Sequence, residues 1–390
     1  MIRIKTINKA AKYSVFKSKV AKNDEYFLSI NPENSDFSKA LKEVNKCYLE
    51  FLKKTGLSPE SQVFCRFFLS DIANQKDLLL ASDLLKKEVK GSYSIIGETP
   101  TSESKILMFS YHIGASQNKK EKLKIGDGWT NGIKTIGENF DLIHISNMIE
   151  PSKDGSEKQT RSIFSRYASL LKKFGCALKN NCVRTWIFVR DIDNHYGGMV
   201  KARREFFEKH GLRKDTRSIA STGIDGKSKE INLLVSMDAI AISKIKPEQI
   251  KRMEAKSHLN STYEYGVTFE RGLKVEFGDR SHLYLSGTAS INNKGEIIHP
   301  QNIEKQTLRT LENMGALLKP HKAGLSDLMY LIVYVRSITD ALAVQKMINK
   351  KGLGKLPTFF VEGAVCRPGW MVEMEGTAII ENKLKWPDFL

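Results

Sequence analysis

The chain has few of the features that mark secreted, disulfide-stabilised or membrane proteins. Its five cysteines, at positions 47, 65, 176, 182 and 366, form no C-x-x-C pair, which favours a reducing compartment. No stretch reaches the roughly 18 consecutive apolar residues that a membrane-spanning helix needs. The first thirty residues contain charges throughout and no apolar signal-peptide segment. The sequence therefore predicts a cytoplasmic location without membrane insertion.

Motifs for common cofactors and nucleophiles are also missing. The segment Lys351–Lys355 contains two glycines but lacks the spacing of a phosphate-binding Walker A loop. The eight histidines form no pair with metal-ligand spacing, and no Gly-x-Ser-x-Gly nucleophile elbow is present. We therefore predict that the protein acts without a metal or other cofactor.

Acidic residues are too few to balance the basic ones. Lysine and arginine total 62 against 44 aspartates and glutamates, which gives a formal net charge of +18. Such a charge favours anionic partners, either a small carboxylate or a nucleic acid. The densest basic run, Lys119–Lys124, contains no aromatic residue that could stack on a base. This run favours a solvated loop over a phosphate-contacting patch.

A pattern of about 115 to 130 residues, a usual domain size, occurs three times. In each copy a helix precedes an apolar strand that ends in a polar step: Cys65–Ile72, Arg184–Ile192 and Ile332–Ile338. The helix before the strand begins almost identically in the second and third copies, at Glu157–Thr160 and Glu304–Thr307. Because repeated units pack alike, we predict three related units, which span residues 1–137, 138–262 and 263–390.

The third unit gives the clearest pattern of secondary structure. Apolar residues at three- and four-residue intervals from Leu308 to Leu318 predict a helix, and Lys350–Gly352 is a helix-ending signal. The predicted elements are a hairpin of 283–290 with 296–298, the helix around 308–318, a strand at 328–335, a helix at 340–350, and strands at 357–366 and 370–380. This order predicts an α+β sheet with both helices on one face. The preceding segment, Pro247–Lys256, has a helix-like composition.

The third unit resembles the Rid family (reactive intermediate deaminases, also called YjgF). The resemblance is carried by Ser286–Ser290, by Val372–Glu375 and by Gln306-Thr307 in the helix. It implies the chorismate-mutase-like fold of that family, whose members are homotrimers with ligand clefts between subunits. Three such units in one chain would form an intrachain pseudo-trimer. Phe359 stands at or next to the position of the family's carboxylate-binding arginine, which argues against ordinary imine hydrolysis.

The chain is also similar to the chorismatase family over most of residues 140–385. The matching segments are Arg184–Trp186, Ser221–Ile224, Ser286–Ser290, Tyr334–Arg336, and Cys366-Arg367 followed by Glu373. This resemblance implies hydrolysis of the enolpyruvyl ether of chorismate, or of a close relative, to pyruvate plus a hydroxybenzoate or a dihydrodiol carboxylate. The segment Lys201–Phe207 departs from the helix typical of these enzymes.

The resemblance also implies roles for particular residues. Glu373, which alternation places on one face of its strand with Glu375, is the expected proton donor, since a buried carboxyl group can be poised near neutrality. Cys366, the second residue expected at the catalytic centre, together with Gly287 is typical of the branch that yields 3-hydroxybenzoate. Residues expected to bind the two substrate carboxylates or to line the pocket are Arg367, Arg336, Tyr334, Arg184, Thr222 and Gly223.

Other functions stay open at the level of the sequence. The main alternative is a non-catalytic Rid-type protein that binds a small anion; a Rid-like imine deaminase or an RNA-binding protein is a further alternative. The expected partner is a small dicarboxylate, with nucleic acid as the less favoured possibility. Since one chain would complete its own ring, we predict a monomer.

Overall fold

The computed structural model describes residues 2–20, 23–114, 119–123, 125, 128, 130–265 and 267–390, with the backbone alone at 264–265. None of the described helices is both long and apolar enough to cross a membrane.

The chain forms nineteen strands and seven α-helices over the described residues. The strands are β1 (Ile2–Thr6), β2 (Ala11–Phe16), β3 (Asp24–Ile30), β4 (Gln62–Leu69), β5 (Ser92–Gly97), β6 (Thr99–Pro100), β7 (Ile106–Gly114), β8 (Lys119–Lys122), β9 (Asn131–Ile136), β10 (Asp141–Met148), β11 (Cys182–Val189), β12 (Ala220–Asp225), β13 (Val235–Ile242), β14 (Ile250–Arg252), β15 (Gly272–Glu276), β16 (Arg280–Ala289), β17 (Leu328–Val335), β18 (Thr358–Glu362) and β19 (Val372–Glu381). The helices are α1 (Phe37–Thr55), α2 (Ile72–Ala81), α3 (Ser156–Lys173), α4 (Leu178–Asn181), α5 (Ile192–Lys209), α6 (Ile303–Leu318) and α7 (Ala341–Lys350).

The strands form three sheets with one topology. Their orders are β1-β2-β3-β7-β4-β5, β8-β9-β10-β13-β11-β12 read from the opposite edge, and β14-β15-β16-β19-β17-β18 with β6 added at the end. Each sheet contains one parallel pair joined by a helical crossover: β4 with β5, β11 with β12, and β17 with β18. Three copies of the same strand order confirm the predicted fold class of tandem α+β units.

Local signals in the sequence set the helix ends. Helix α1 begins after Asp36, whose side chain accepts a hydrogen bond from the amide of Lys39 (2.9 Å), and ends at Gly56 with φ of 73°. Helix α6 begins after Asn302, which accepts from the amide of Lys305 (2.9 Å). Both starts are side-chain caps that satisfy amides left unpaired in the first turn.

Helices lie on the outer faces of the sheets, and the inner faces meet in a shared core. Separate apolar clusters join α1 and α2 to the first sheet and α3 and α5 to the second. A larger cluster combines the inner side chains of all three sheets, such as Phe64, Trp186 and Tyr330, with α6 and α7. The arrangement is the pseudo-trimer that the sequence predicted, closed within one chain.

Each junction between units contains a buried ion pair. Arg66 of the first unit binds Asp238 of the second (2.7 Å), and Arg184 of the second binds Glu375 of the third. The third contacts the first through Arg280 and Glu25 (2.6 Å). In addition, β6 of the first unit pairs with β18 of the third. These cross-unit contacts close the ring.

Some sequence-based predictions differ from the structure. Strand β16 pairs with β15 and β19 rather than with residues 296–298. Of the predicted hairpin only the turn forms: residues 291 and 297 make an isolated antiparallel bridge, and the amide of Ile298 donates to the carbonyl of Ser290 (3.2 Å). The segment Pro247–Lys256 is not helical: it forms a short 3₁₀ turn and then β14. Residues 250–252 pair with β15 and so form the edge strand of the third sheet.

The basic run lies at another sheet edge. Lys119–Lys122 forms β8, an exposed edge strand rather than a loop, while Lys124 lies outside the described residues. Strands β8 and β9 precede residue 138 yet pair in the second sheet, and β14 precedes residue 263 yet pairs in the third. The strands of the second sheet therefore begin before residue 138, and those of the third sheet before residue 263, the residues at which the sequence-based units were predicted to start.

Candidate active site between the second and third units

A cavity of about 260 Å³ lies where the second unit meets the third. From the second unit it is lined by Tyr196 and Arg203 of α5 and by Ser221 and Gly223 of β12. From the third unit it is lined by Val267, Phe269, Arg271, Gly287, Ala289, Ile291, Cys366, Arg367, Trp370 and Glu373. The cavity is thus a cleft between adjacent units.

The cleft exists because β12, the edge strand of the second sheet, lies against β16 of the third. The amide of Ser221 donates to Oγ of Ser286 (2.9 Å), and the amide of Gly287 donates to Oγ1 of Thr222 (2.9 Å). Thr222 and Gly223, which were expected to bind substrate or line the pocket, both lie in β12, whose backbone pairs with β11. Of the two, only Gly223 lines the cavity.

Glu373 on β19 points its carboxyl group into this cleft. Its side chain is only 6% exposed. Burial, with the nearby charge of Glu375 added, raises its pKa to about 8, although Arg271 and Arg184 act in the opposite direction. The carboxyl group is therefore largely protonated at neutral pH and can donate a proton.

Gly287 leaves the space that this carboxyl group occupies. A Cβ atom at position 287 would lie 2.7 Å from Cδ of Glu373 and overlap its Oε1. It would also lie 3.1 Å from Cγ2 of Thr222. Any side chain larger than hydrogen here requires Glu373 to move, so the glycine serves a close approach rather than a turn.

A buried polar network lies behind Glu373 and centres on Glu375. This carboxylate accepts hydrogen bonds from Arg184, from Thr222, from Nε1 of Trp186 (2.8 Å) and from the hydroxyl of Tyr334 (3.0 Å). Arg184, Thr222 and Tyr334 were predicted to contact substrate, but none of them lines the cleft. They instead fix a negative charge beneath Glu373.

Cys366 lines the cleft as a neutral thiol. Burial and, to a lesser extent, the adjacent Glu373 together raise the pKa of its thiol to about 12, although a hydrogen bond with Tyr196 acts in the opposite direction. A thiol with such a pKa is a poor nucleophile at neutral pH. Its geometry suits shaping the cleft and contacting a ligand.

Three arginines line the cleft, and sequence reasoning found only one of them. Arg367, which was predicted, stacks on Trp370 with its guanidinium 4.9 Å from the ring centroid, and it donates to the carbonyl of Gly295 (3.1 Å). Arg203 and Arg271 are 1% and 8% exposed and were missed. The available signal for Arg203 was its helical spacing from Tyr196 in α5; Arg271 had no comparable signal.

Arg336, in contrast, lies away from the cleft. Its guanidinium binds the carboxylate of Asp193 (3.0 Å) and the carbonyl oxygens of Val365 and Trp370. These bonds aim it toward a different cavity, at the end of β17. The expectation that Arg336 contacts substrate in the cleft is therefore not met, because Arg336 does not line it.

The junction between the first and second units has no acid at the position of Glu373. Sheet register places Asp238 at the position of Glu375, and Asp238 binds Arg66 and Ser94 (2.7 Å each). Two residues earlier, where the third unit has Glu373, the second unit has Ser236. This junction keeps the buried ion pair and lacks the proton donor.

The junction between the third and first units has apolar residues at the positions of both Glu375 and Glu373. Phe109 occupies the position of Glu375, and its ring lies 5.2 Å from that of Phe359. Leu107 occupies the position of Glu373. Phe359, at the position of the expected Rid arginine, is thus a core residue packed between two units. Of these equivalent positions, only the one at the junction of the second and third units has the acid in a cleft.

The comparisons with known proteins agree with this architecture. The family model described as Endoribonuclease L-PSP matches residues 275–380. A RutC family protein of Saccharolobus solfataricus is 33% identical over 89 residues, which are 23% of this chain and 68% of that protein. The chain therefore belongs to the RutC family of Rid/YjgF proteins.

Solved structures extend the likeness beyond the third unit. A crystal structure of chorismatase superposes with a TM-score of 0.60 at 16% identity and covers 82% of this chain and 93% of that chain. At this identity the likeness shows the fold, here across all three units. A putative endoribonuclease L-PSP from Entamoeba histolytica, also 16% identical, covers 34% of this chain and 99% of its own, with a TM-score of 0.29.

Proposed function

We propose that the protein hydrolyses the enolpyruvyl ether of chorismate, or of a close relative, in the cleft between the second and third units. The observation that carries the proposal is the carboxyl group of Glu373, which is buried in the cleft and has its pKa raised to about 8. An enol ether is cleaved when its methylene carbon is protonated, and a neutral carboxylic acid is suited to that step at physiological pH.

The reaction would proceed in three steps. Glu373 donates its proton to the methylene carbon, which becomes a methyl group and leaves an oxocarbenium ion. A water molecule adds to this ion, and loss of a proton from the added water restores the carboxyl group of Glu373. The hemiketal then breaks its bond to the ring oxygen and releases pyruvate and the ring alcohol. Water is the only co-reactant, so no cofactor enters the scheme.

The charges around the cleft support an anionic substrate. Chorismate carries two carboxylates, and guanidinium groups bind carboxylates in bidentate geometry. We assign this role to Arg203, Arg271 and Arg367, which line the cleft. The buried Glu375 network keeps a negative charge near Glu373, which favours the protonated acid and stabilises a developing cation.

The walls of the cleft would hold the ring of the substrate. Phe269 and Trp370 provide apolar faces, and Cys366 and Gly287 lie beside the acid. By the resemblance described above, the combination of Cys366 with Gly287 favours the hydroxybenzoate product over the dihydrodiol. Formation of the hydroxybenzoate needs one further step, in which the ring alcohol loses its second hydroxyl group and a ring hydrogen as one water molecule. Product analysis by liquid chromatography, after incubation of the full chain with chorismate, distinguishes the two.

The central experiment measures pyruvate released from chorismate. The wild-type protein should release it, and Glu373→Gln should lower the rate by about 100- to 10,000-fold, the usual contribution of a general acid. The matched control is Glu381→Gln, which changes an exposed carboxylate at the end of the same strand and should leave the rate unchanged. Pyruvate release by Glu373→Gln at the wild-type rate would remove this residue from the mechanism, and chorismate binding without turnover would favour a small-anion binding protein.

A further inference from the structure

Asn260 holds one of the arginines that line the cleft. Nη2 of Arg271 donates to Oδ1 of Asn260 (3.0 Å), and Nε of Arg271 donates to the backbone carbonyl of the same asparagine (3.4 Å). Both residues are buried. The backbone carbonyl of Arg271 also accepts from the amide of Ser286 (3.1 Å), the residue before Gly287 on β16. The guanidinium group and the backbone of Arg271 are therefore both held in place.

The same asparagine contacts a turn that holds a second arginine of the cleft. Gly295 in this turn has a φ of 81°, and a Cβ atom there would lie 2.7 Å from Nδ2 of Asn260. The glycine thus permits both the left-handed backbone and the close approach of the amide. The carbonyl of Gly295 accepts from Nη1 of Arg367 (3.1 Å). Asn260 therefore lies at a point that supports Arg271 directly and Arg367 through the turn.

Asn260 is a neutral partner for a charged group. The arginines at the junctions between units are held by carboxylates, as Arg66 is by Asp238 (2.7 Å). An amide oxygen and a carbonyl oxygen accept hydrogen bonds without carrying a formal charge, so the contacts with Asn260 orient the guanidinium without cancelling its charge. This charge acts within the cleft, because Arg271 opposes the burial that raises the pKa of Glu373.

Without this support the guanidinium has space to leave the cleft. Arg271 and Asn260 together line a neighbouring cavity of about 190 Å³, while Arg271 also lines the cleft. An arginine side chain has many rotamers, and holding it in one of them has an entropic cost. A guanidinium released by Asn260 would therefore be divided between the two cavities.

We propose that Asn260 is a positioning residue, which holds the charged guanidinium of Arg271 in the cleft to bind a carboxylate of the substrate. This role rests on the proposed function, in which the substrate is a dicarboxylate. Asn260 acts through Arg271, because it lines the neighbouring cavity rather than the cleft.

Asn260→Asp tests the proposal, because it keeps the shape of the side chain and adds a charge that offsets that of Arg271. Affinity is measured by calorimetric titration of the full chain, at neutral pH, with 3-(carboxymethoxy)benzoate, a stable aromatic dicarboxylate with an ether in place of the enolpyruvyl ether. The wild-type protein should bind this probe. Asn260→Asp should bind it about 100-fold more weakly, the size of effect expected when a buried charge pair is lost. Asn260→Ala, which removes the support and keeps the charge, should bind it about tenfold more weakly.

The matched control is Asn293→Asp, which adds the same charge at an exposed position of the turn that contains Gly295. It should change the affinity by less than about twofold, because an exposed charge is screened by solvent. Urea unfolding separates positioning from a merely structural role: Asn260→Asp should keep the wild-type stability, since its carboxylate can pair with Arg271. With chorismate as substrate, Asn260→Asp should raise KM and change kcat much less, as expected when binding to substrate and transition state is weakened alike.

The proposal is overturned if Asn260→Asp binds the dicarboxylate as tightly as the wild-type protein does, or if Asn293→Asp weakens binding to the same extent. Loss of stability together with affinity in Asn260→Asp would indicate a structural role only and would also overturn it, as would a wild-type protein that does not bind the probe. Probe binding that falls as expected in Asn260→Asp, in a protein that releases no pyruvate from chorismate, would support the positioning role and contradict only the proposed hydrolysis.

Discussion

At the scale of single residues, the space left by Gly287 decides where the proton donor lies. Gly287→Ala should displace the carboxyl group of Glu373 and lower kcat for pyruvate release by about 100-fold, because small misplacements of a catalytic group have effects of that size. The control is Gly197→Ala, at an exposed helical position where a Cβ atom meets nothing within 4 Å. Full activity in Gly287→Ala would show that the observed position of Glu373 is not required.

The pKa of Glu373 also sets an expected pH dependence. A proton donor must be protonated, so kcat/KM for chorismate should be constant near neutrality and fall by about tenfold per unit as the pH rises above about 8. The folded-state pKa lies above the ordinary value of 4.5, so the contribution of Glu373 to stability is fully present below pH 4.5 and is lost as the pH rises through about 8. Unfolding measured over the same range separates the two effects. A rate that increases through pH 8 would instead indicate a base.

At the scale of secondary structure elements, the repeated helix starts have a physical explanation. Gln159 in α3 and Gln306 in α6 are both fully buried. The side-chain oxygen of each accepts from a backbone amide just before the last strand of its unit, Leu234 (2.9 Å) or Met371 (3.0 Å). The side-chain nitrogen donates to the carbonyl two residues earlier (2.7 and 3.0 Å). The glutamine thus joins the helix to the incoming strand.

This pair of glutamines gives a matched experiment. Gln159→Ala and Gln306→Ala should each lower the free energy of unfolding by about 1–3 kcal/mol, because each leaves buried backbone groups unpaired. Only Gln306→Ala should also raise KM for chorismate, since the backbone it holds flanks Trp370 in the cleft wall. Urea unfolding and steady-state kinetics measure the two effects. Equal KM values in both variants would contradict a role of α6 in positioning the wall.

At the scale of the whole molecule, the closed ring predicts a monomer. Every junction between units is already formed within the chain, each with a buried ion pair such as Arg66–Asp238. Within the described part of the chain, all three junctions are closed, so none of them is left for a second chain to complete. Sedimentation equilibrium should give the mass of one chain at all concentrations tested, whereas a stable trimer of full chains would contradict the prediction.

The sequence by itself determined the repeat and most of its elements. Strand β17 and helix α6 were predicted because alternation and helical periodicity are local properties. The same alternation placed Glu373 and Glu375 on one face of β19, and the structure has Glu373 in the cleft with Glu375 behind it. The hairpin predicted after residue 283 shows the limit of this reasoning. Only its turn forms, because β16 pairs with β15 and β19, and the choice among possible partner strands is not local.

Only the tertiary structure decided which residues share the cleft. Arg203 lies 170 residues before Glu373 in the numbering, and the two approach because β12 of one unit packs on β16 of the next. The same packing places Arg336 outside the cleft, in the cavity at the end of β17. Contacts between units depend on how whole sheets meet, which no local pattern of residues encodes.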